Sequence, residues 1–130
     1  WFYPKDWILQ KDFLPTDLKA LLKSNSIDGC IAVQADQSEE ETTWLLDLAE
    51  ENDFIKGVVG WVDLCAENVE DRLQFFSKNP LFKGVRHIVQ SEEKDFVLRD
   101  DFKNGLCKLA PLGLTYDLLV YPSQLEAATE

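Results

Sequence analysis

Seven residues of this chain have types that could do chemistry: Gln34, Asp63, Arg86, His87, Gln90, Tyr116 and Asp117. They stand within or just beyond four short, mostly apolar runs, and Asp36 and Gln37 follow close behind the first. His87 is the only histidine, and a lone histidine is either a satisfied core residue or a site residue. Its neighbour Arg86 tips the reading toward a site. Strand alternation sends the two side chains to opposite faces, and a strand interior rarely takes both without a reason. Two assignments are open: His87 toward the mouth of the sheet with Arg86 paired to a carboxylate, or the reverse. Asp117 lies inside a strongly apolar strand, where a carboxylate must be paired, hydrogen-bonded or shifted in pKa. It is therefore a site candidate or a structural partner of Arg86. Asp63 is a site candidate or the cap of the following turn. Gln34 and Gln90, being uncharged, suit a substrate hydroxyl or a loop backbone.

Other chemistries find little support. One histidine cannot build a histidine-rich catalytic zinc site, which usually takes three protein ligands and an open position. There is no nucleophile elbow, no phosphate-cradling GxGxxG and no P-loop. Cys30, Cys65 and Cys107 are far apart and lack any CxxC spacing, which predicts buried, reduced thiols in a cytoplasmic setting. A net charge of −11 argues against nucleic acid and anionic lipid as partners, since both need clustered Lys or Arg. Its acids, such as Glu39 to Glu41, Asp47, Glu50 and Glu51, read as solvated helix faces. No apolar run approaches the roughly 18 residues of a membrane span.

The elements that must position these residues are announced by glycines. Gly29, Gly57, Gly84 and Gly113 are 28, 27 and 29 residues apart, and each opens one of the apolar runs. Strand then helix at this period is the mark of consecutive right-handed βα units, whose site lies at the carboxyl ends of the strands. The runs predict strands at about 30–34, 58–63, 84–89 and 114–120, apolar on both faces as parallel strands are. Helical spacing predicts helices beginning at Pro15, after Ser38, near Asn68 and near Asp101, with a last one opening at Tyr121-Pro122-Ser123. Ser38 and Glu41 fit a capping box. The expected inward faces are Leu18, Leu21 and Leu22; Trp44, Leu45, Leu48 and Ala49; Val69, Leu73 and Phe76; and Phe102, Leu106, Leu109 and Ala110. Trp1 to Lys11 reads as an aromatic loop. The 130 residues suit a single α/β domain. The chain has no methionine and starts at Trp1, which predicts that residues are missing from its N-terminus.

At these runs the sequence resembles a known family. The segment from Gly29 to Leu46 is similar to the "VQA-x-QS-x-EET-x-WLL" stretch of one branch of the amidohydrolase superfamily, TIM-barrel hydrolases that include sugar-lactone and related lactone hydrolases. Gly57-Val-Val-Gly-Trp-Val-Asp-Leu, Gly84-Val-Arg-His-Ile-Val-Gln and Gly113-Leu-Thr-Tyr-Asp-Leu-Leu-Val match three further signature strands in order, and Phe13-Leu-Pro-Thr-Asp-Leu looks like the family's first-helix entry. The resemblance implies a (β/α)8 barrel of which 1–130 is a partial domain of about four βα units. It also implies hydrolysis of a lactone or related ester by water, with a divalent metal such as zinc in members that use one. By position it puts His87 and Asp117 in catalytic roles and Gln34, Asp63, Arg86 and Tyr116 in substrate binding, with carbonyl polarisation or structural pairing for Arg86.

The family's His-x-His should precede Trp1, and its later histidine and aspartate should follow Glu130. A complete barrel needs at least about 200 residues. The expected partner is therefore a small lactone, with association of copies through open sheet edges. The alternative is a non-catalytic half-barrel that binds a small ligand or another chain. An unrelated doubly wound α/β domain is a third, weakened by the missing phosphate loop.

Overall fold

The computed structural model describes residues 11–129, so the aromatic segment before Lys11 lies outside it. Four parallel strands, β1 (Cys30–Val33), β2 (Ile55–Gly60), β3 (Phe82–His87) and β4 (Thr115–Leu118), lie side by side in sequence order. Helix α1 (Pro15–Ser24) precedes them, α2 (Glu39–Glu51), α3 (Val69–Phe76) and α4 (Asp100–Cys107) occupy the crossovers, and α5 (Leu125–Ala128) follows. Parallel neighbours require such crossovers. A doubly wound sheet reverses its strand order partway; this one never does, as expected of successive barrel units.

Strands β2 and β3 begin two residues ahead of their glycines and stop before Asp63 and Val89. Gly57 and Gly84 therefore sit inside strands rather than opening them. A Cβ on Gly57 would lie 2.5 Å from Lys83 Cγ, and one on Gly84 would lie 2.3 Å from Thr115 Oγ1. The glycine period is a period of close crossings, each strand leaving room for a side chain of the next. Gly113 serves differently, ending a 3-10 turn (Ala110–Leu112) in the left-handed region at φ 68°.

The helices cover one face of the sheet. At the start of α2, Ser38 accepts from Glu41 N–H at 3.2 Å, but Glu41 does not close the box. Its carboxylate instead takes the N–H groups of Ala35 and Asp36, at 2.9 and 2.8 Å, and so binds the helix end to the loop after β1. The buried stripe of α2 is Thr42, Leu46 and Ala49, while Trp44 is half exposed. The stripe is set by the close approach of Thr42 to Gly60, where a Cβ would lie 2.5 Å from its methyl group. In α1 only Leu22 is buried, and in α4 the inward residues are Phe102 and Gly105, with Ala110 exposed. Val69, Leu73 and Phe76 of α3 are buried as expected. With Val58, Val62, Leu64, Val85 and Phe102 they form the core between sheet and helices. All three cysteines are free, but Cys107 is exposed and Cys30 and Cys65 are only half-buried, correcting the expectation of buried thiols.

Register fixes the faces. Gly60 meets α2, and Val85 and Tyr116 are its successive partners, so these three look toward the helices. By alternation Val59, Gly84, Arg86, Thr115 and Asp117 look the other way, onto the inner face of the sheet.

Candidate active site

Arg86 and Asp117 are partners in the β3–β4 register and share the inner face, yet no ion pair or hydrogen bond joins them. The Arg86 guanidinium instead reaches over β2 to the end of β1. One terminal N–H donates to the Gln34 backbone oxygen and, at 3.2 Å, to Gln34 Oε1. The Gln34 amide donates in return to the Arg86 backbone oxygen at 3.1 Å. Gln34 is fully buried and its own N–H is held by Val59 O at 2.8 Å. A carboxamide is therefore spent on a guanidinium, which leaves the positive charge uncompensated. The Arg86 Nε is buried and has no hydrogen-bond partner among the described residues. Arg86 is thus a half-buried cation with no carboxylate partner among the described residues, and guanidinium N–H groups suit an anionic or polarised oxygen.

His87 takes the opposite face. Its ring stacks on Phe96, centroids 5.0 Å apart at 11°, and meets the edge of Phe102 at 5.9 Å. Trp61 Nε1–H donates to His87 Nδ1 at 3.3 Å, and His87 Nε2 lies 2.9 Å from Glu92 Oε1. Of the two open assignments, the structure thus puts the histidine among the helix-side aromatics and the arginine inward, without a carboxylate.

The remaining candidates are scattered. Tyr116 faces the helices with its ring edge-on to Phe102, 5.9 Å away, and its hydroxyl is buried without a partner among the described residues. Burial pushes its pKa up to about 12, the nearby His87 backbone pulling the other way. Asp63 Oδ1 accepts the Cys65 N–H at 2.9 Å, capping the turn after β2. Gln90 reaches Val120 O at 3.5 Å. Two glutamines beyond the strand ends also go to backbone. Gln37 Oε1 accepts from Ile88 N–H at 2.7 Å, and buried Gln124 donates to Val89 O at 2.8 Å and Glu92 O at 3.2 Å. Sequence reasoning did not single out Trp61, Glu92 or Gln124. Glu92 had a signal, being a carboxylate five residues past the only histidine; Gln124 pairs across 35 residues and had none.

Among the described residues no group of three His, Cys, Asp or Glu side chains could hold a metal ion. Both ring nitrogens of His87 are engaged. The described residues therefore do not fit a metal centre. No helix among them is long and apolar enough to cross a membrane.

Comparison with known proteins gives this arrangement a lineage. L-fucono-1,5-lactonase of Burkholderia multivorans (strain ATCC 17616 / 249) is 37% identical over 120 residues, covering 91% of this chain and 40% of that protein. The L-fucono-1,5-lactonase of Burkholderia ambifaria is 31% identical over 120 residues, 92% of this chain and 41% of that one. The chain thus spans about two fifths of the length of the curated relatives it matches. A crystal structure of a Burkholderia multivorans amidohydrolase with bound HEPES superposes with a TM-score of 0.90 at 34% identity, over 98% of this chain and 45% of that one. Another crystal structure from the same organism, with bound zinc, gives 0.91 at the same identity and coverage. The four parallel strands are accordingly a partial TIM barrel. The family model described as "Amidohydrolase" matches residues 3–130, and with it this chain belongs to the amidohydrolase family.

Proposed function

We propose that the complete protein is a hydrolase that opens a sugar lactone or closely related ester, with the inner face around Arg86 as part of its substrate site. The observation that carries this is the Arg86 guanidinium: inward, held by Gln34, and without a carboxylate partner among the described residues. Water attacks the lactone carbonyl carbon, and the carbonyl oxygen gains negative charge as the tetrahedral adduct forms. Arg86 donates to that oxygen and stabilises it most when the charge is greatest, which lowers the barrier. Collapse of the adduct breaks the ring C–O bond. The ring oxygen leaves with a proton, giving the hydroxy acid. Asp117, on the same face one strand away, accepts a hydrogen bond from a substrate hydroxyl and orients the ring. Gln34 acts through Arg86, and His87 positions rather than reacts. One solved relative carries bound zinc, and among the described residues of this chain no group of three His, Cys, Asp or Glu side chains could hold such an ion. Three free cysteines fit a reducing compartment, and we place the protein in the cytoplasm.

The test is Arg86→Met in the complete protein, assayed on L-fucono-1,5-lactone and neighbouring sugar lactones. Hydrolysis falls at least about tenfold, on the order of 1.4 kcal/mol in the barrier. Unchanged turnover would overturn the reading.

A further inference from the structure

We infer that His87 is a positioning residue, held as its neutral Nε2–H tautomer between Trp61 and Glu92, and that this unit is what turns Arg86 inward. The inference rests on the functional reading above only for the task it gives Arg86.

The tautomer follows from donor chemistry. An indole N–H can only donate, so the Nδ1 that receives Trp61 at 3.3 Å carries no proton. The proton is then on Nε2, which donates to Glu92 Oε1 at 2.9 Å. A ring bound at both nitrogens and stacked on Phe96 cannot flip or swing out, and the residue is only 9% exposed. Successive strand residues leave on opposite faces, so anchoring His87 on the helix side obliges Arg86 to face inward. The backbone on either side is pinned as well. Gln34 holds Arg86 O, Gln37 holds Ile88 N–H, and Gln124 holds both Val89 O and Glu92 O. The segments after β1 and after β4 thus latch the end of β3, and the Trp61–His87–Glu92 series ties the β2 loop to the β3 loop. A guanidinium aimed at a developing oxyanion has to be this firmly held, because small displacements cost rate steeply.

The experiment is 15N NMR of the imidazole nitrogens in the complete protein, with the His87 signals assigned by their loss in His87→Phe, alongside lactone kinetics well below the melting temperature. The expected spectrum shows a bare Nδ1 and a protonated Nε2, and Trp61→Phe releases the ring into a mixture of tautomers. His87→Phe, which keeps the stack and loses both hydrogen bonds, lowers kcat about tenfold with little change in KM. His87→Gln, which keeps an N–H for Glu92, recovers most of that loss. A proton on Nδ1 in the wild type, or a His87→Gln no better than His87→Phe, would overturn the inference. Failure of the functional reading looks different: Arg86→Met would leave hydrolysis intact while the tautomer stayed as described.

Discussion

Two buried polar atoms near the end of β3 lack a hydrogen-bond partner among the described residues, Arg86 Nε and the Tyr116 hydroxyl. The first belongs to an inner-face side chain; the second faces helices, where it only costs stability. Removing it should therefore be harmless. Tyr116→Phe keeps the edge contact with Phe102 and should melt at the wild-type temperature or above at neutral pH. A fall of more than about 5 °C, on the order of 1 kcal/mol for a domain of this size, would mean the hydroxyl has a use. The pH dependence has a definite sign. An unfolded tyrosine loses its proton near pH 10, whereas Tyr116 in the fold holds it to about 12. Between those values the unfolded state binds fewer protons, so stability falls as pH rises. In Tyr116→Phe that part of the fall disappears, which a melting series above pH 10 would register. At this scale the sequence was half legible. Alternation required Arg86 and His87 to part, but the direction depends on Phe96 and Phe102, which reach the histidine only after the chain has turned back over the sheet.

Elements were placed well and bounded poorly, and the glycines explain both. Their period announced the strands, but Gly57 and Gly84 mark where a neighbour's side chain crosses, two residues inside each strand. Helix faces shifted for a similar reason. Periodicity gives an apolar stripe, but the closest approach decides which part of it is buried, as Thr42 against Gly60 does for α2. Gly105 of α4 is the sharpest case, since a Cβ there would lie 2.1 Å from Leu64 O. Alanine in a helix interior is favoured over glycine by about 1 kcal/mol. Overpacking against backbone that cannot yield costs about 1–3 kcal/mol or more. At so short a distance the clash wins. Gly105→Ala is expected to lower the melting temperature and loosen α4 from the loop after β2, seen as faster amide exchange at Leu64 to Ala66. A stabilised variant would show that helix and loop separate freely.

At the scale of the whole molecule, the four-unit repeat was visible in the sequence and the family likeness spans nearly all of it. What no single unit could reveal is the state of the two sheet edges. Among the described residues β1 and β4 are sheet edges with unpaired backbone groups. Beside β1 the inner face exposes Ile31 at 48% and Val33 at 38%, and beside β4 Leu118 is exposed at 48%. Such edges invite pairing, and burying each side chain contributes about 25 cal/mol per Å2 of apolar surface. The net charge of −11 opposes this by mutual repulsion. The two effects answer differently to salt, because screening weakens repulsion between copies and leaves apolar burial untouched. The 130-residue chain is therefore expected to sediment as a small species at low ionic strength and to associate as salt is raised. The double substitution Ile31→Lys and Val33→Lys should abolish that association while leaving the helical circular dichroism signal unchanged. A chain that stays monomeric at every salt concentration would show that the exposed edges are too short to pair, and that charge alone does not keep them apart.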